Sequence, residues 1–250
     1  MLDINKIYLG DCLEIMKEID NKSIDMILCD LPYGTTACKW DSIIPFDKLW
    51  EQYNRVIKDN GAIVLNASQP FTSNLIMSNT KMFKYCWVWD KHLATGHLNA
   101  KKQPLRRTED ICVFYKKQSV YNPQMVLRDK VRIRKSTGRV FPKNGESIYG
   151  SFESVDQEHT HRYPVNLLEF SNAIRTKSLH PTQKPVALFE YLIKTYTNEN
   201  DTILDNCIGS GTTAIATLNV GGGRKYIGIE KDEQYYKIAI DRISGYIHIF

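Results

Sequence analysis

The sequence predicts an α/β protein, a doubly wound sheet of parallel strands interrupted by one irregular insert. Three observations predict it. Met26-Ile27-Leu28-Cys29 is a short unbroken apolar run bounded by polar residues, the pattern of a strand buried on both faces of a parallel sheet. Such runs alternate with amphipathic stretches of helical period, as crossover connections require. Two runs end in carboxylates, Asp30 and Asp205, and the carboxyl ends of strands are where open α/β sheets bind ligands.

Taking the chain in order, Lys6 to Gly10 reads as a first strand closed by Gly10-Asp11, with Leu13, Ile15, Met16 and Ile19 marking one side of a short helix. Asp11 suits the N-cap of that helix. The run to Cys29 is the second strand, and it is followed by Asp30-Leu31-Pro32-Tyr33-Gly34, a carboxylate, a Pro-restricted backbone and an aromatic ring at a strand end. Thr35 to Ile44 lacks periodicity and carries Lys39 and Trp40, as a loop beside that strand. Phe46 to Lys58 is an amphipathic helix that Asn60-Gly61 ends; Ala62 to Leu65 is a strand and Pro70 to Asn79 a helix. Tyr85 to Asp90 and Ile111 to Tyr115 are aromatic-rich strands. Between them lies a mobile basic loop, Lys91 to Asp110, with Lys91, Lys101, Lys102, Arg106 and Arg107, which suits phosphate contacts.

From residue 118 to 177 the α/β pattern breaks down. Arg128 opens a cation-rich stretch that runs on through Lys135 and Arg139, and within it Lys130, Arg132 and Arg134 alternate with apolar Val131 and Ile133; on a strand, that alternation puts the cations on one face, a surface able to follow phosphates. The α/β pattern resumes at Leu179-His180-Pro181-Thr182-Gln183-Lys184-Pro185, which starts a helix bearing Val186, Leu188, Phe189, Leu192 and Ile193. Ile203-Leu204 leads into Asp205, then the turn Gly209-Ser210-Gly211, then a helix from Thr212. The glycines permit a tight turn and close backbone approach, and the helix start offers free N–H groups. Tyr226 to Ile229 is another strand, ending in Glu230 about 20 residues past the glycines, the spacing at which an acid binds ribose hydroxyls. Together these residues suggest an adenosine-containing cofactor. Lys237 to Ile243 completes a last helix, with apolar Ile247 to Phe250 tucked against the body.

With both carboxylate motifs in view, the chain resembles the DNA amino-methyltransferases that use S-adenosylmethionine, in the permuted β-type order where the catalytic motif precedes the cofactor motif. Their catalytic signature, an acid or Asn followed by Pro-Pro-Tyr, is matched by Asp30-Leu31-Pro32-Tyr33, with Leu31 in place of Pro. Their cofactor signature is matched by Asp205 and Gly209 to Gly211. The resemblance implies a Rossmann-like methyltransferase sheet with 1–117 as its catalytic half, 118–177 as a target-recognition insert and 178–250 as its cofactor-binding half. It implies that Asp30, the Leu31 carbonyl, Pro32 and Tyr33 form the reaction site, Tyr33 stacking on a flipped base. It further implies that S-adenosylmethionine is held by Asp11, Thr182, Lys184, Asp205, Gly209, Ser210, Gly211, Thr212 and Glu230. Lys184 suits the methionine carboxylate.

The implied reaction is methylation of N6 of adenine in DNA, with cytosine N4 as the alternative because both are exocyclic amines. An acid at the first motif position resembles the adenine enzymes. Cytosine C5 methylation needs a Pro-Cys pair, which the chain lacks. A nicotinamide-dependent dehydrogenase also fits Gly209, Gly211, Ala214 and Glu230, but 20 residues follow Glu230, too few for the rest of a dinucleotide fold unless the N-terminal half completes the sheet. A regulator that kept the fold and lost the chemistry is the non-enzyme rival, disfavoured by the intact motifs.

At 250 residues and 42% hydrophobic content, a sizeable core is expected, and the formal charge of +5 is mild. A nucleic-acid surface must therefore come from local clustering. Six cysteines, at 12, 29, 38, 86, 112 and 207, show no Cys-x-x-Cys spacing, so reduced buried thiols are expected and no metal site or disulfide framework is. With no leader and no membrane-length apolar run, the expectation is a cytoplasmic protein, bacterial or phage-encoded. Besides DNA, the resemblance brings two partners into question, a cognate restriction endonuclease and a second copy of the chain, for which the sequence offers no interface.

Overall fold

The computed structural model describes residues 2–35, 41–134, 157–172 and 183–247. The chain divides into two compact units, Met1–Asn122 with Asn166–Phe250, and Pro123–Val165. The first unit opens with β1 (Lys6–Leu9), α1 (Cys12–Ile15), β2 (Ile24–Asp30), α2 (Phe46–Val56), β3 (Ile57–Ala67), α3 (Phe71–Ser78), β4 (Phe83–Thr95) and β5 (Arg106–Phe114). The second unit holds β6 (Val126–Arg134) and β7 (Gln157–Arg162), an antiparallel pair. The first unit then resumes with β8 (Leu167–Glu169), α4 (Val186–Tyr196), β9 (Thr202–Asp205), α5 (Thr212–Val220), β10 (Lys225–Glu230) and α6 (Glu233–Ile247).

Eight strands of the first unit form one sheet in the order β1-β10-β9-β2-β3-β5-β4-β8. Every pairing from β1 to β3 is parallel, and β5 alone runs against its neighbours β3 and β4. β2 lies in the middle, and its alternation explains the unbroken apolar run. Ile27 and Cys29 pack with α2 residues Leu49, Tyr53 and Val56, whereas Met26 and Leu28 pack with α4 residues Leu188, Phe189 and Leu192. All four β2 side chains are fully buried; burying the larger ones contributes about 1.5–3 kcal/mol each. A third cluster joins β10 to α5 and α6 through Tyr226, Ala214, Ile215, Ala239 and Ile243.

Three boundaries differ from the sequence expectation. α2 stops at Val56, because Ile57 is extended and pairs with Ile24 at the start of β3. Asn60-Gly61 is therefore an irregularity inside β3, where the register jumps from Ile57 to Ala62. A Cβ on Gly61 would sit 2.8 Å from the Asp25 carbonyl oxygen, which is why the position needs glycine. The segment Lys91 to Asp110 is only partly loop: β4 runs on to Thr95 and β5 begins at Arg106, these two residues pairing directly. α6 extends both ways beyond Lys237 to Ile243.

Candidate active site

Because β1, β10, β9, β2 and β3 are parallel, their carboxyl ends share one edge, which carries Asp11 just past β1, Glu230, Asp205 and Asp30. The reversed direction of β5 brings its beginning, with Arg106 and Glu109, to the same edge. There a cleft of about 1440 Å³ is lined by Asp11, Asp30, Leu31, Pro32, Tyr33, Lys184, Asp205, Gly209, Ser210, Thr212 and Glu230, together with Lys91, Arg106, Glu109 and Arg242.

At one end of the cleft, backbone groups dominate. Gly209 and Gly211 take positive φ of 54° and 83°, the left-handed region that glycine occupies without strain. A Cβ on Gly211, the N-cap of α5, would lie 3.3 Å from that of Ala239. The Gly209 N–H donates to Glu230 Oε2 at 2.8 Å and the Asp232 N–H to Oε1 at 2.8 Å. Asp205 accepts from the Cys207 N–H at 3.0 Å and from the Thr213 hydroxyl. Burial pushes Asp205 up to about 7 in spite of these donors, and raises Glu230. Arg242 from α6 donates to the Ser210 carbonyl at 3.0 Å and the Thr212 hydroxyl at 3.2 Å, bracing the turn. Asp11 caps α1 through the Leu13 N–H at 2.9 Å and meets Lys231 at 3.0 Å. Partial burial opposes its ionisation, but Lys231 and the backbone donors prevail and hold it below the usual carboxylate range.

At the other end, side-chain charges dominate. Asp30 accepts from the Tyr33 hydroxyl at 2.8 Å and from Lys184 Nζ at 2.6 Å. Lys184 also stands 3.6 Å from Glu109 Oε2, and Glu109 Oε1 meets Lys91 Nζ at 3.0 Å. Desolvation raises Asp30 against the pull of Lys184. Desolvation opposes the charge on Lys184 too, yet Asp30 and Glu109 outweigh it and raise the lysine. Leu31 is buried beside Asp30. The Tyr33 ring stacks on Phe71 at 5.1 Å between centroids, with Lys184 Nζ 5.6 Å from its centre; one ring face is thus already packed within the chain.

One sequence expectation needs correction. Lys91, read as part of a mobile basic loop facing phosphates, is 4% exposed and paired with Glu109, since it lies on β4 rather than in a loop. Lys184, expected to suit a methionine carboxylate, lines the cleft and meets two protein carboxylates there. Lys101, Lys102 and Arg106 are exposed, as is Arg107, which pairs with Asp90 at 2.7 Å. In the second unit Lys130 and Arg132 are exposed, Arg128 is half-buried with its Nε donating to the His161 carbonyl at 3.2 Å, and Arg134 ends β6. Lys135, Arg139, Thr182 and the Lys39-Trp40 segment lie outside the described residues.

Sequence reasoning missed Glu109 and Arg242. Glu109 had one local signal, as the first acid after the cation-bearing stretch 91–107; Arg242 had none. Outside the cleft, Asp90, His92 and Glu169 bring ligand atoms within 4.8 Å of one another, with Arg107 already neutralising Asp90. Among the described residues no helix is long and apolar enough to cross a membrane.

Comparison with known proteins agrees with this geometry. The profile of a family described as DNA methylase, covering N6 and N4 methyltransferases, matches residues 24–241. Type II methyltransferase M1.MboII of Moraxella bovis is 29% identical over 254 residues, 96% of each chain. DNA adenine methyltransferase YhdJ of Escherichia coli K12 is 26% identical over 256 residues, 96% of this chain and 82% of its own. Among solved structures, the M1.HpyAVI complex with SAM superposes with a TM-score of 0.62 at 26% identity, covering 95% of this chain and 98% of that one. PvuII methyltransferase, cytosine-N4-specific, shares the fold with a TM-score of 0.67 at 17% identity over 95% of this chain and 85% of its own. The chain therefore belongs to the DNA methylase family of N6-adenine and N4-cytosine methyltransferases.

Proposed function

We propose that the chain methylates N6 of adenine in DNA, with Asp30 and the Leu31 carbonyl as the acceptor pair for the target amine. The cofactor of the family is S-adenosylmethionine, and the cleft residues suit it. Asp11 and Glu230 offer carboxylates for an adenosine, Gly209 lines the cleft with backbone alone, and Ser210 and Thr212 supply polar groups at the start of α5. Bound there, the cofactor supplies an electrophilic methyl whose carbon–sulfur bond breaks with its electron pair left on sulfur.

The residues of the chain do the rest by positioning and charge. An exocyclic amine is a poor nucleophile because its lone pair is delocalised into the ring. Accepting both amine hydrogens at Asp30 and Leu31 localises that pair and aims it. Once the nitrogen carries the new bond it is cationic; the carboxylate of Asp30 stabilises it and takes one proton, the N–H pair returning to nitrogen. Pro32 restricts the backbone that presents the Leu31 carbonyl. Tyr33, braced by Phe71, offers its remaining ring face and edge to the flipped base.

The observation that carries this reading is Asp30 at the end of β2, with its carboxylate held by Tyr33 and Lys184. The acid at this position favours adenine, and one relative is named as an adenine enzyme. Cytosine N4 is the second reading, since the same acceptor pair serves it and a cytosine-N4-specific enzyme has this fold. We assign 1–117 and 178–250 to the two halves of the methyltransferase domain and 118–177 to target recognition, its core being the separate unit Pro123–Val165 with the exposed Lys130 and Arg132, since β8 within that span belongs to the sheet. The other candidate DNA contacts are Lys101, Lys102, Arg106 and Arg107 on the β4–β5 hairpin, with Arg128 and Arg134 on β6. The names of the Type II relatives favour a restriction-modification setting in a bacterial cytoplasm, with a cognate endonuclease as partner. Pairing with a second copy of the chain is part of the same proposal.

The test is incubation with methyl-labelled S-adenosylmethionine and mixed-sequence DNA, followed by digestion to nucleosides and mass spectrometry. Label in N6-methyladenine is the expected result; label in N4-methylcytosine transfers the mechanism to the other base.

A further inference from the structure

We propose that Glu109 is a positioning residue for methyl transfer: acting through Lys184, it is the carboxylate that balances the lysine while Asp30 holds the proton removed from the methylated amine. The inference rests on reading Asp30 as the proton acceptor and is the same whether the amine is N6 or N4.

The argument begins with burial. The side chains of Lys184, Glu109 and Asp30 are 7%, 17% and 22% exposed, and Lys91 is 6% exposed. In the resting arrangement Lys184 neutralises Asp30 at 2.6 Å. When Asp30 takes a proton, that pairing loses its negative member. A buried ammonium without a counterion is unstable by several kcal/mol, so its unpaired charge would drive the proton from Asp30 back to the methylated amine, or strip the lysine of its own, unless a second carboxylate stands within reach. Glu109 is that carboxylate. Its Oε2 is buried and has no hydrogen-bond donor, yet lies 3.6 Å from Lys184 Nζ, just beyond hydrogen-bonding distance. A shift of a few tenths of an ångström closes this contact when Asp30 relaxes its hold.

Lys91 keeps Glu109 ionised for the role. Desolvation opposes the charge on Glu109, but Lys184 and Lys91 outweigh it and hold the carboxyl below its ordinary range. The charged and titratable groups facing this site come from four elements. They are Asp30 and Tyr33 at the end of β2, Lys91 on β4, Glu109 on β5 and Lys184 ahead of α4, with Arg106 lining the same cleft and with Asp205 on the neighbouring β9 and the Cys29 thiol on β2 also feeling the charge of Asp30. Being of like charge, Glu109 also makes Asp30 a stronger base than Lys184 alone would leave it.

The test compares Glu109→Gln with the unaltered chain in two ways. In the cofactor-free protein, the carboxyl carbon resonance of Asp30, assigned by its absence in Asp30→Asn, is titrated. The midpoint is expected to fall, because the like charge is gone while Lys184 remains. In turnover, kcat is expected to fall by about tenfold or more, its acid limb moving to lower pH, with cofactor Kd and the KM for DNA within about twofold. An unmoved midpoint overturns the proposal, even if kcat falls, since a packing defect alone would lower kcat.

Glu109→Gln leaves Lys91 buried without its carboxylate, so Glu109→Asp, which keeps the charge one methylene further back, serves if the first variant does not fold. Its midpoint is expected to fall less, with kcat largely restored, and a loss of kcat of about tenfold or more with the midpoint unmoved overturns the proposal. Undiminished transfer by Asp30→Asn would instead remove the acceptor reading on which the inference rests.

Discussion

The two ends of the cleft hold their acids in opposite ways. At the cofactor end, Asp205 and Glu230 have no cation within hydrogen-bonding distance among the described residues; backbone N–H groups and one hydroxyl satisfy them, and burial pushes both upward. At the acceptor end, Asp30 and Glu109 are threaded between Lys184 and Lys91. Neutral donors aimed at a carboxylate define a geometry and leave the cleft free for a ligand's own charge. Paired charges define a protonation balance, which suits the place where a proton must be accepted. On the function proposed above, one end binds and the other reacts.

That contrast can be broken experimentally. The largest expected effect is at the reacting end: Asp30→Ala should reduce methyl transfer by at least about 100-fold, while calorimetric cofactor affinity stays within a few-fold. A parallel collapse of binding would erase the distinction between the ends. Gly211→Ala should act at the binding end through the backbone, because its φ of 83° and the nearby Ala239 oppose a side chain. A loss of about 1–3 kcal/mol in denaturant unfolding is expected, with weaker cofactor binding. Glu230→Gln should weaken cofactor binding by about tenfold, as removal of a charged hydrogen-bond acceptor does, and leave kcat at saturating cofactor nearly unchanged.

The smallest effect sharpens the comparison through pH. Asp205 is lifted by burial to about 7 from an unfolded value of 3.8, so the folded state binds more protons between these values and stability falls as pH rises through that window. In Asp205→Asn the fall should be shallower, a difference of about 2–4 °C in Tm between pH 5 and pH 8 for each kcal/mol removed. An identical slope would show that Asp205 does not titrate there.

The binding end was legible in the sequence because its parts are local. Asp205, the glycine turn and Glu230 follow one another along a single strand–helix–strand passage, and short-range rules of turn and period apply to them. The reacting end was legible only at Asp30. Its partner Lys184 is separated from it by 154 positions, and a lysine beside prolines says nothing of what it will meet. Glu109 escaped notice because its place at the active edge depends on the reversed direction of β5, which no local pattern in Arg106 to Phe114 encodes. The same blindness turned Lys91 into a surface cation, since burial of a lysine is a property of its partners. The end of α2 was misplaced because Ile57 suits either element by itself, and only pairing with Ile24 decides.

The reversed strand has a practical corollary. Since β5 starts at the edge where its parallel neighbours finish, the exposed tip from His97 to Leu105, which opens with a single 3-10 turn at His97–Asn99, projects directly from the ladder that fixes Glu109. Pairing of Thr95 with Arg106 closes the ladder below that tip. The tip is thereby a natural graft point: its length and charge can be rewritten while the register beneath it keeps Glu109 in place.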